Sequence, residues 1–171
     1  MKENSGALFS SDKVHRYKLW RRWDKTKPNI LFIGLNPSRA DAVKNDHTIA
    51  RCIEFVKAWG YGGMYFGNLY SFRTPYVKPP VKNLHGENWK PLIEVLPIAH
   101  DEMTDILLQS MINDSAKIVC AWGSWKFIND RVDEVGKLIA ESYCFGLNND
   151  DSPKHPLYLS KKTLLQKFYF K

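Results

Sequence analysis

The chain has 171 residues, of which 44% are hydrophobic and 25% are charged. A chain of this length and composition has enough apolar surface to fold as one globular domain. No apolar run approaches the roughly 20 residues that cross a membrane, and the polar N-terminus lacks the apolar core of a signal peptide. We therefore expect a monomeric cytoplasmic protein that does not contact a membrane.

The net charge of +7 favours a polyanionic partner, because a basic domain attracts the phosphates of nucleic acid. Many small proteins are equally basic without such a partner. The three cysteines, Cys52, Cys120 and Cys144, lie far apart among apolar neighbours and form no Cys-x-x-Cys pair. This pattern argues against a zinc site, an iron–sulfur cluster and a disulfide framework, so we predict neither a metal nor a cofactor.

The N-terminal part of the chain is predicted to form a flexible tail and an edge strand. Residues 1–13 are polar and indicate the tail, ahead of a single domain over residues 14–171. Basic and apolar side chains then nearly alternate over residues 16–23, which is typical of an edge strand or hairpin with one wet face. That basic face, which includes Arg16 and Arg21, would be solvated or would touch phosphate.

The strand that organises the rest of the chain covers residues 30–33, where four apolar residues precede Gly34-Leu35-Asn36-Pro37. A short apolar run bounded by turn residues is typical of a buried parallel strand. Beyond it, helix and strand patterns alternate, which predicts a parallel sheet with helices on both faces. The other predicted strands cover residues 64–68, 118–122 and 142–147, and the predicted helices cover residues 46–60, 98–111, 125–141 and 161–168.

A distinctive residue follows each of the four predicted parallel strands. Asn36 follows the first, Asn68 the second, Trp122 the third and His155 the fourth. The carboxyl ends of parallel strands share one edge of the sheet, where open α/β sheets bind ligands. An amide can orient a water molecule, and a histidine can polarise or protonate a developing negative charge. A flipped base is read by such hydrogen bonds and by aromatic stacking.

These residues also have structural interpretations, which the sequence leaves open. Asn36 fits an Asx turn, Asn68 can satisfy loop backbone, and His155 can be a turn histidine. Residues 38–41 resemble a helix capping box, which favours Ser38 as a cap over a nucleophile. Three further residues match no metal-ligand spacing and are interpreted as caps and loop residues: Asp41, Asp46 and His47.

Several motifs resemble a family of uncharacterised bacterial and phage proteins that is known only as a domain of unknown function. The resemblance runs from about residue 15 to residue 165, and it makes residues 76–95 a loop insertion. It is carried by Phe32-Ile33-Gly34-Leu35-Asn36-Pro37-Ser38, by Trp59-Gly60-Tyr61-Gly62-Gly63 and by Lys154-His155-Pro156-Leu157-Tyr158-Leu159.

The order of the strand-end motifs is similar to that of the uracil-DNA glycosylase superfamily. Gly34-Leu35-Asn36-Pro37 matches a first motif, Gly-x-Asp/Asn-Pro, and His-Pro-Leu-Tyr-Leu-Ser at residues 155–160 resembles the last motif. The resemblance implies a three-layer α/β/α sandwich with a four-stranded parallel sheet, to which the N-terminal strand or hairpin adds an edge. It also implies that Asn36 positions water, that Asn68 reads the base, that His155 stabilises the leaving base and that Leu159 wedges into the duplex.

We therefore predict a nucleobase-directed enzyme that acts at or near the N-glycosidic bond of a base in nucleic acid, DNA in preference to RNA. The alternatives are a non-catalytic module that binds nucleic acid or nucleotides, and an enzyme of free nucleotides or phage base modification. The expected catalytic residues are Asn36 and His155. The expected base-binding or substrate-binding residues are Gly34, Leu35, Pro37, Ser38, Asn68, Tyr70, Phe72, Trp122 and Leu159. The expected phosphate-binding residues are Arg39, Arg51, Arg73 and Lys154.

Overall fold

The computed structural model describes residues 4–78 and 90–171. They form a mixed α/β fold in which one seven-stranded sheet is covered by three α-helices. The strands are β1 (Asn4–Phe9), β2 (Arg16–Arg22), β3 (Asn29–Gly34), β4 (Gly63–Asn68), β5 (Lys117–Cys120), β6 (Ser142–Cys144) and β7 (Gln166–Phe168), and the helices are α1 (His47–Ala58), α2 (Glu102–Asn113) and α3 (Asn129–Gly136).

The sheet is larger than the four parallel strands that we predicted. Its order is β1-β2-β4-β3-β5-β6-β7. The four middle strands are parallel to one another, and the antiparallel β1–β2 hairpin extends one side. On the other side the predicted helix over residues 161–168 is wrong, because residues 166–168 pair with β6 as β7. The Ser142 hydroxyl strengthens this pairing by donating to the Phe168 carbonyl at 2.9 Å.

The strand β3 lies at the centre of the fold and is buried along its whole length. Because side chains alternate across a sheet, Phe32 packs on the face covered by α1, and Leu31 and Ile33 pack on the face covered by α2 and α3. Burial on both faces explains why this strand is a continuous apolar run without polar alternation.

The helix α1 forms where its sequence signals predict. The Asp46 carboxylate caps it by accepting a hydrogen bond from the Ile49 N–H at 2.9 Å, as N-cap aspartates do. Gly60 follows the last turn with a φ of 80°, a left-handed conformation that favours glycine after a helix. The buried face carries Cys52 and Val56.

The other two helices are shorter than predicted. The apolar spacing in the sequence predicts one buried face for α2, with Ile98, Met103, Ile106, Leu107 and Met111. The helix instead begins after Ile98, with a capping box formed by Asp101 and Thr104, and a different face is buried. As a result, Met103 and Ile106 are exposed, at 45% and 52%. The described chain contains no helix with the length and apolar character needed to span a bilayer.

Two predictions about chain segments need correction or cannot be followed in full. The predicted flexible tail is wrong for residues 4–9, because they pair with β2 as an edge strand; residues 1–3 lie outside the described chain. The middle of the predicted insertion over 76–95, residues 79–89, also lies outside it. Where the described chain resumes, the Leu92 N–H donates to the Tyr76 carbonyl at 2.9 Å and the Ile93 N–H donates to the Val77 carbonyl at 3.1 Å, and these two bonds join the flanks.

Candidate functional site

A cavity of about 170 Å³ lies at the carboxyl edge of the parallel strands. The loops that leave the four parallel strands converge there, as the positions of the strand ends predict. Among the residues expected to bind or react with a substrate, those that line the cavity are Gly34, Leu35, Asn36, Ser38, Asn68, Trp122 and His155.

Asn68 ends β4 with its amide buried in the wall of this cavity. The residue is 4% exposed, and neither Nδ2 nor Oδ1 has a hydrogen-bond partner among residues 4–78 and 90–171. It therefore does not satisfy the backbone of a described loop. An unpaired buried amide costs about 1–3 kcal/mol, so such a pair of atoms is suited to a ligand that supplies one donor and one acceptor.

Gly34 makes room for this amide from the adjacent strand. It pairs with Asn68 in the parallel register of β3 and β4. A Cβ atom at Gly34 would lie 2.7 Å from the Phe66 ring and 2.9 Å from Asn68 Oδ1. Any side chain at position 34 would displace one of these groups, so this glycine is required by a close approach.

Asn36 is fixed by the backbone around it. Its Nδ2 group donates to the Thr74 carbonyl at 2.8 Å and to the Pro37 carbonyl at 3.0 Å, and the Thr74 N–H donates to Pro37 at 2.9 Å. These bonds use the donors of the amide and leave Oδ1 as the acceptor. Asn36 therefore shapes the loop and also offers a rigid acceptor to a water molecule.

His155 reaches the cavity because the loop after β5 holds the loop after β6. The Gly123 N–H donates to the Pro153 carbonyl at 3.0 Å, and Gly123 has a φ of 79°. The Nδ1 atom of His155 accepts the Leu157 N–H at 3.3 Å, so the neutral ring carries its proton on Nε2. His155 is exposed as a residue, but partial desolvation of its ring lowers the pKa of His155, against the attraction of Asp46. At neutral pH the ring is therefore a neutral Nε2–H donor.

Two charged residues in the cavity wall were not predicted as site residues. Arg16, which was predicted to lie on a face that is solvated or touches phosphate, is only 2% exposed and donates to the Ala40 carbonyl at 2.7 Å. Burial lowers its pKa to about 10, with Asp46 opposing, so the guanidinium stays charged at neutral pH. Asp46 also lines the cavity, although its sequence signal was that of a helix cap.

The loop between β3 and α1 contains no helix at Ser38. The predicted capping box is wrong, because the Asp41 carboxylate accepts hydrogen bonds from the backbone of Val43 at 2.8 Å and Lys44 at 2.7 Å instead. Arg21, like Arg16, is buried against this loop and donates to the Asp41 carbonyl at 2.7 Å. Ser38 is therefore free of a capping role and lines the cavity.

The remaining lining residues had no distinctive signal in the sequence. Some belong to the first turn of α1 and to β4, and others follow β4 and β5 in the chain. They are Thr48, Ile49, Phe66, Thr74, Pro75, Val77 and Trp125.

Four of the residues expected to bind the base do not line the cavity. Tyr70 is buried in the core, edge-on to His100 at 5.6 Å between ring centroids. Phe72 packs against the same core, and Pro37 contributes its carbonyl to the loop. Leu159 packs against the α1 side of the core.

The residues expected to bind phosphate lie outside the cavity as well. The Arg51 guanidinium pairs with Glu54 at 2.6 Å and donates to the Leu159 carbonyl. Arg73 lies 4.7 Å from the Phe9 ring centroid. Arg39 and Lys154 are exposed. Phosphate contacts by all four residues remain a prediction.

We expect the free energy of unfolding to fall as the pH drops below about 6.5, the usual histidine value. Burial lowers the pKa of both His155 and His100 in the folded state, and Arg131 lowers that of His100 further. Below pH 6.5 the unfolded chain therefore binds more protons than the folded one. Urea unfolding at a series of pH values should show that the free energy of unfolding of His100→Gln falls less steeply below pH 6.5 than that of the wild type.

The described residues contain no group of three or more His, Cys, Asp or Glu side chains that could hold a metal ion. The three cysteines are free and buried. Burial also raises the pKa of the Cys52 thiol well above its usual range, and a protonated buried thiol is a poor nucleophile or metal ligand.

No curated protein and no solved structure matches this chain. A family model described as "Protein of unknown function (DUF1643)" matches residues 16–157. That span contains all the described residues that line the cavity, from Arg16 to His155. The predicted membership of a family known as a domain of unknown function is confirmed, and the chain belongs to the DUF1643 family.

Proposed function

We propose that this protein is a nucleobase-directed enzyme that acts at the N-glycosidic bond of a base in nucleic acid, as its resemblance to uracil-DNA glycosylases implies. The observation that carries the proposal is the buried amide of Asn68, which has no hydrogen-bond partner among the described residues and lies in a cavity that Asn36 and His155 also line. The Watson–Crick edge of a base presents a donor next to an acceptor, which an amide can pair with through its own acceptor and donor.

The other two polar residues would act on the bond itself. Asn36 Oδ1, with its Nδ2 held by two carbonyls, would accept a hydrogen bond from the attacking water and orient it. His155 would donate from Nε2 to the base as negative charge develops on it. Because the ring is neutral, this step stabilises charge without a full proton transfer from an imidazolium.

The walls of the cavity suit a flat aromatic ligand. Phe66 and Trp122 line it, and both rings are nearly fully buried, at 5% and 2% exposure. Rings held in place by a core lose little entropy when a base packs against them, and base–aromatic stacking contributes about 1–3 kcal/mol per base.

An exposed aromatic side chain three residues after His155 favours a polymeric substrate. Tyr158 is 93% exposed and has a φ of 68°, an uncommon conformation for a non-glycine residue. Leu159, in contrast, packs against the core. Tyr158 is therefore better placed than Leu159 to insert between bases.

We expect Tyr158→Ala to weaken binding of a single-stranded or duplex oligonucleotide by about tenfold or more, because one stacking contact is lost. Leu159→Ala should instead lower the free energy of unfolding by about 1–2 kcal/mol, since it removes a core contact. Fluorescence anisotropy and urea unfolding of both variants separate the two effects. Weaker binding by Leu159→Ala at unchanged stability would restore Leu159 as the wedge.

The proposal is tested by measuring base release from oligonucleotides that contain uracil or modified bases. The wild type should release at least one such base, and Asn36→Ala should reduce the single-turnover rate by about 100-fold or more. Equal background for both proteins on all substrates would contradict the proposal. Salt-sensitive DNA binding without turnover, unaltered by Asn36→Ala, would indicate a non-catalytic binding module instead.

A second candidate function is an enzyme of free nucleotides, and Arg16 is the observation that favours it. The guanidinium is buried beside the cavity, and its Nε has no partner in the described part of the chain. A buried cation with a free donor suits the phosphate of a mononucleotide. Tight binding of a mononucleotide, together with failure to bind any oligonucleotide, would favour this function over the first.

A further inference from the structure

Asp46 is the single carboxylate among the described residues that line the cavity. Hydrolysis of an N-glycosidic bond by water needs an acceptor for the proton of that water. The Asn36 amide is not basic, and the Nδ1 lone pair of His155 is engaged by the Leu157 N–H. A carboxylate is therefore the group in this cavity that can take the proton.

The helix cap holds this carboxylate in a fixed orientation. Oδ1 accepts the Ile49 N–H at 2.9 Å, and the Asp46 carbonyl accepts the Ala50 N–H at 3.0 Å. Oδ2 has no hydrogen-bond partner in the described part of the chain. One oxygen thus anchors the side chain at the N-terminus of α1 while the other is left to react.

Two buried arginines keep the preceding loop in place. Arg16 donates to the Ala40 carbonyl at 2.7 Å, and Arg21 donates to Asn45 Oδ1 at 2.9 Å. The negative charge of Asp46 interacts electrostatically with both guanidinium groups, and also with the Cys52 thiol and the His155 ring. Asp46 therefore contributes to the electrostatics of the cavity wall as well as to the cap of α1.

We propose that Asp46 is the general base of the reaction, an inference that rests on the proposed function. Water held by Asn36 Oδ1 attacks the anomeric carbon, and the new carbon–oxygen bond forms as the carbon–nitrogen bond breaks. One water proton passes to Asp46 Oδ2. The departing base takes the bonding electron pair, is stabilised by the His155 Nε2–H and then receives a proton from solvent.

The experiment uses two substitutions that remove the carboxylate and keep the helix cap. Asparagine and serine both cap helices well, so Asp46→Asn and Asp46→Ser should fold like the wild type. General-base catalysis contributes about 10²–10⁴-fold, and both variants should lose at least about 100-fold of the single-turnover rate of base release. Added formate should restore part of the rate to Asp46→Ser, where the smaller side chain leaves room for it, and not to Asp46→Asn.

A matched control is Asp101→Asn. Asp101 caps α2 as Asp46 caps α1, because its Oδ1 accepts the Thr104 N–H at 2.9 Å. Asp101 does not line the cavity, so the rate should not change. An Asp46→Asn variant within about threefold of an active wild type would overturn the role of Asp46 and leave the proposed function standing. Absence of base release by the wild type itself would overturn both.

Discussion

Replacing Asn68 by leucine is expected to stabilise the protein and to abolish its activity. The substitution removes two buried polar atoms that have no partner among the described residues, and each unpaired buried group costs about 1–3 kcal/mol. We therefore expect the free energy of unfolding to rise by about 1 kcal/mol or more. The rate of base release should fall by about 100-fold or more, because the variant cannot hydrogen-bond the base edge.

Asn29 provides the matched control on the neighbouring strand. It lies at the opposite end of β3, is 4% exposed and also has an unpartnered Oδ1 within the described chain. It is not part of the cavity, so Asn29→Leu should leave base release unchanged. If Asn68→Leu instead destabilises the protein and remains active, Asn68 has a structural role only.

The largest expected loss of stability follows from replacing Arg131, a buried residue of α3. Its Nε donates to the Leu69 carbonyl at 2.7 Å, and its other nitrogens bind Asp105 and Glu134. Burial disfavours the charge, but these two carboxylates outweigh it and raise the pKa of Arg131. Arg131→Met leaves the buried Leu69 carbonyl without this partner, which should lower the free energy of unfolding by about 2–3 kcal/mol. The Asp105 and Glu134 side chains are 43% and 54% exposed, so water replaces Arg131 around them and the loss of the two ion pairs adds little.

Urea unfolding of three variants tests this contribution. Arg131→Lys should show an intermediate loss, since an ammonium keeps the charge but cannot reproduce the planar fork of the guanidinium. Lys137→Met, at the exposed end of the same helix, should change stability by less than about 0.5 kcal/mol. A loss below about 1 kcal/mol for Arg131→Met would show that the network does not contribute to the fold.

The sequence predicts the middle of the fold better than its margins. The strand β3 and the helix α1 have local signals, a continuous apolar run and the pair of caps at Asp46 and Gly60. The prediction of which face of α2 is buried was wrong, because the exposed Met103 and Ile106 are apolar while the polar Thr104 is buried by its capping bond. The three-residue strand β7 depends on pairing with β6, which no local pattern of residues indicates.

The candidate site was predicted only where its residues follow parallel strands. Asn36, Asn68 and His155 line one cavity because the carboxyl ends of parallel strands converge. Arg16 was missed because its burial depends on a contact with Ala40, far along the chain. Asp46 was recognised as a cap, and a capping signal does not reveal that the second carboxylate oxygen borders a cavity.

The most direct test of the central claim is a crystal structure of the protein soaked with a free nucleobase such as uracil. We expect the base to occupy the cavity, with hydrogen bonds from the Asn68 Nδ2 group to a base carbonyl and from a base N–H to Asn68 Oδ1, and with His155 beside the same ring. A base bound elsewhere, with the Asn68 amide still unpartnered, would contradict the assignment of this cavity as a base-binding site.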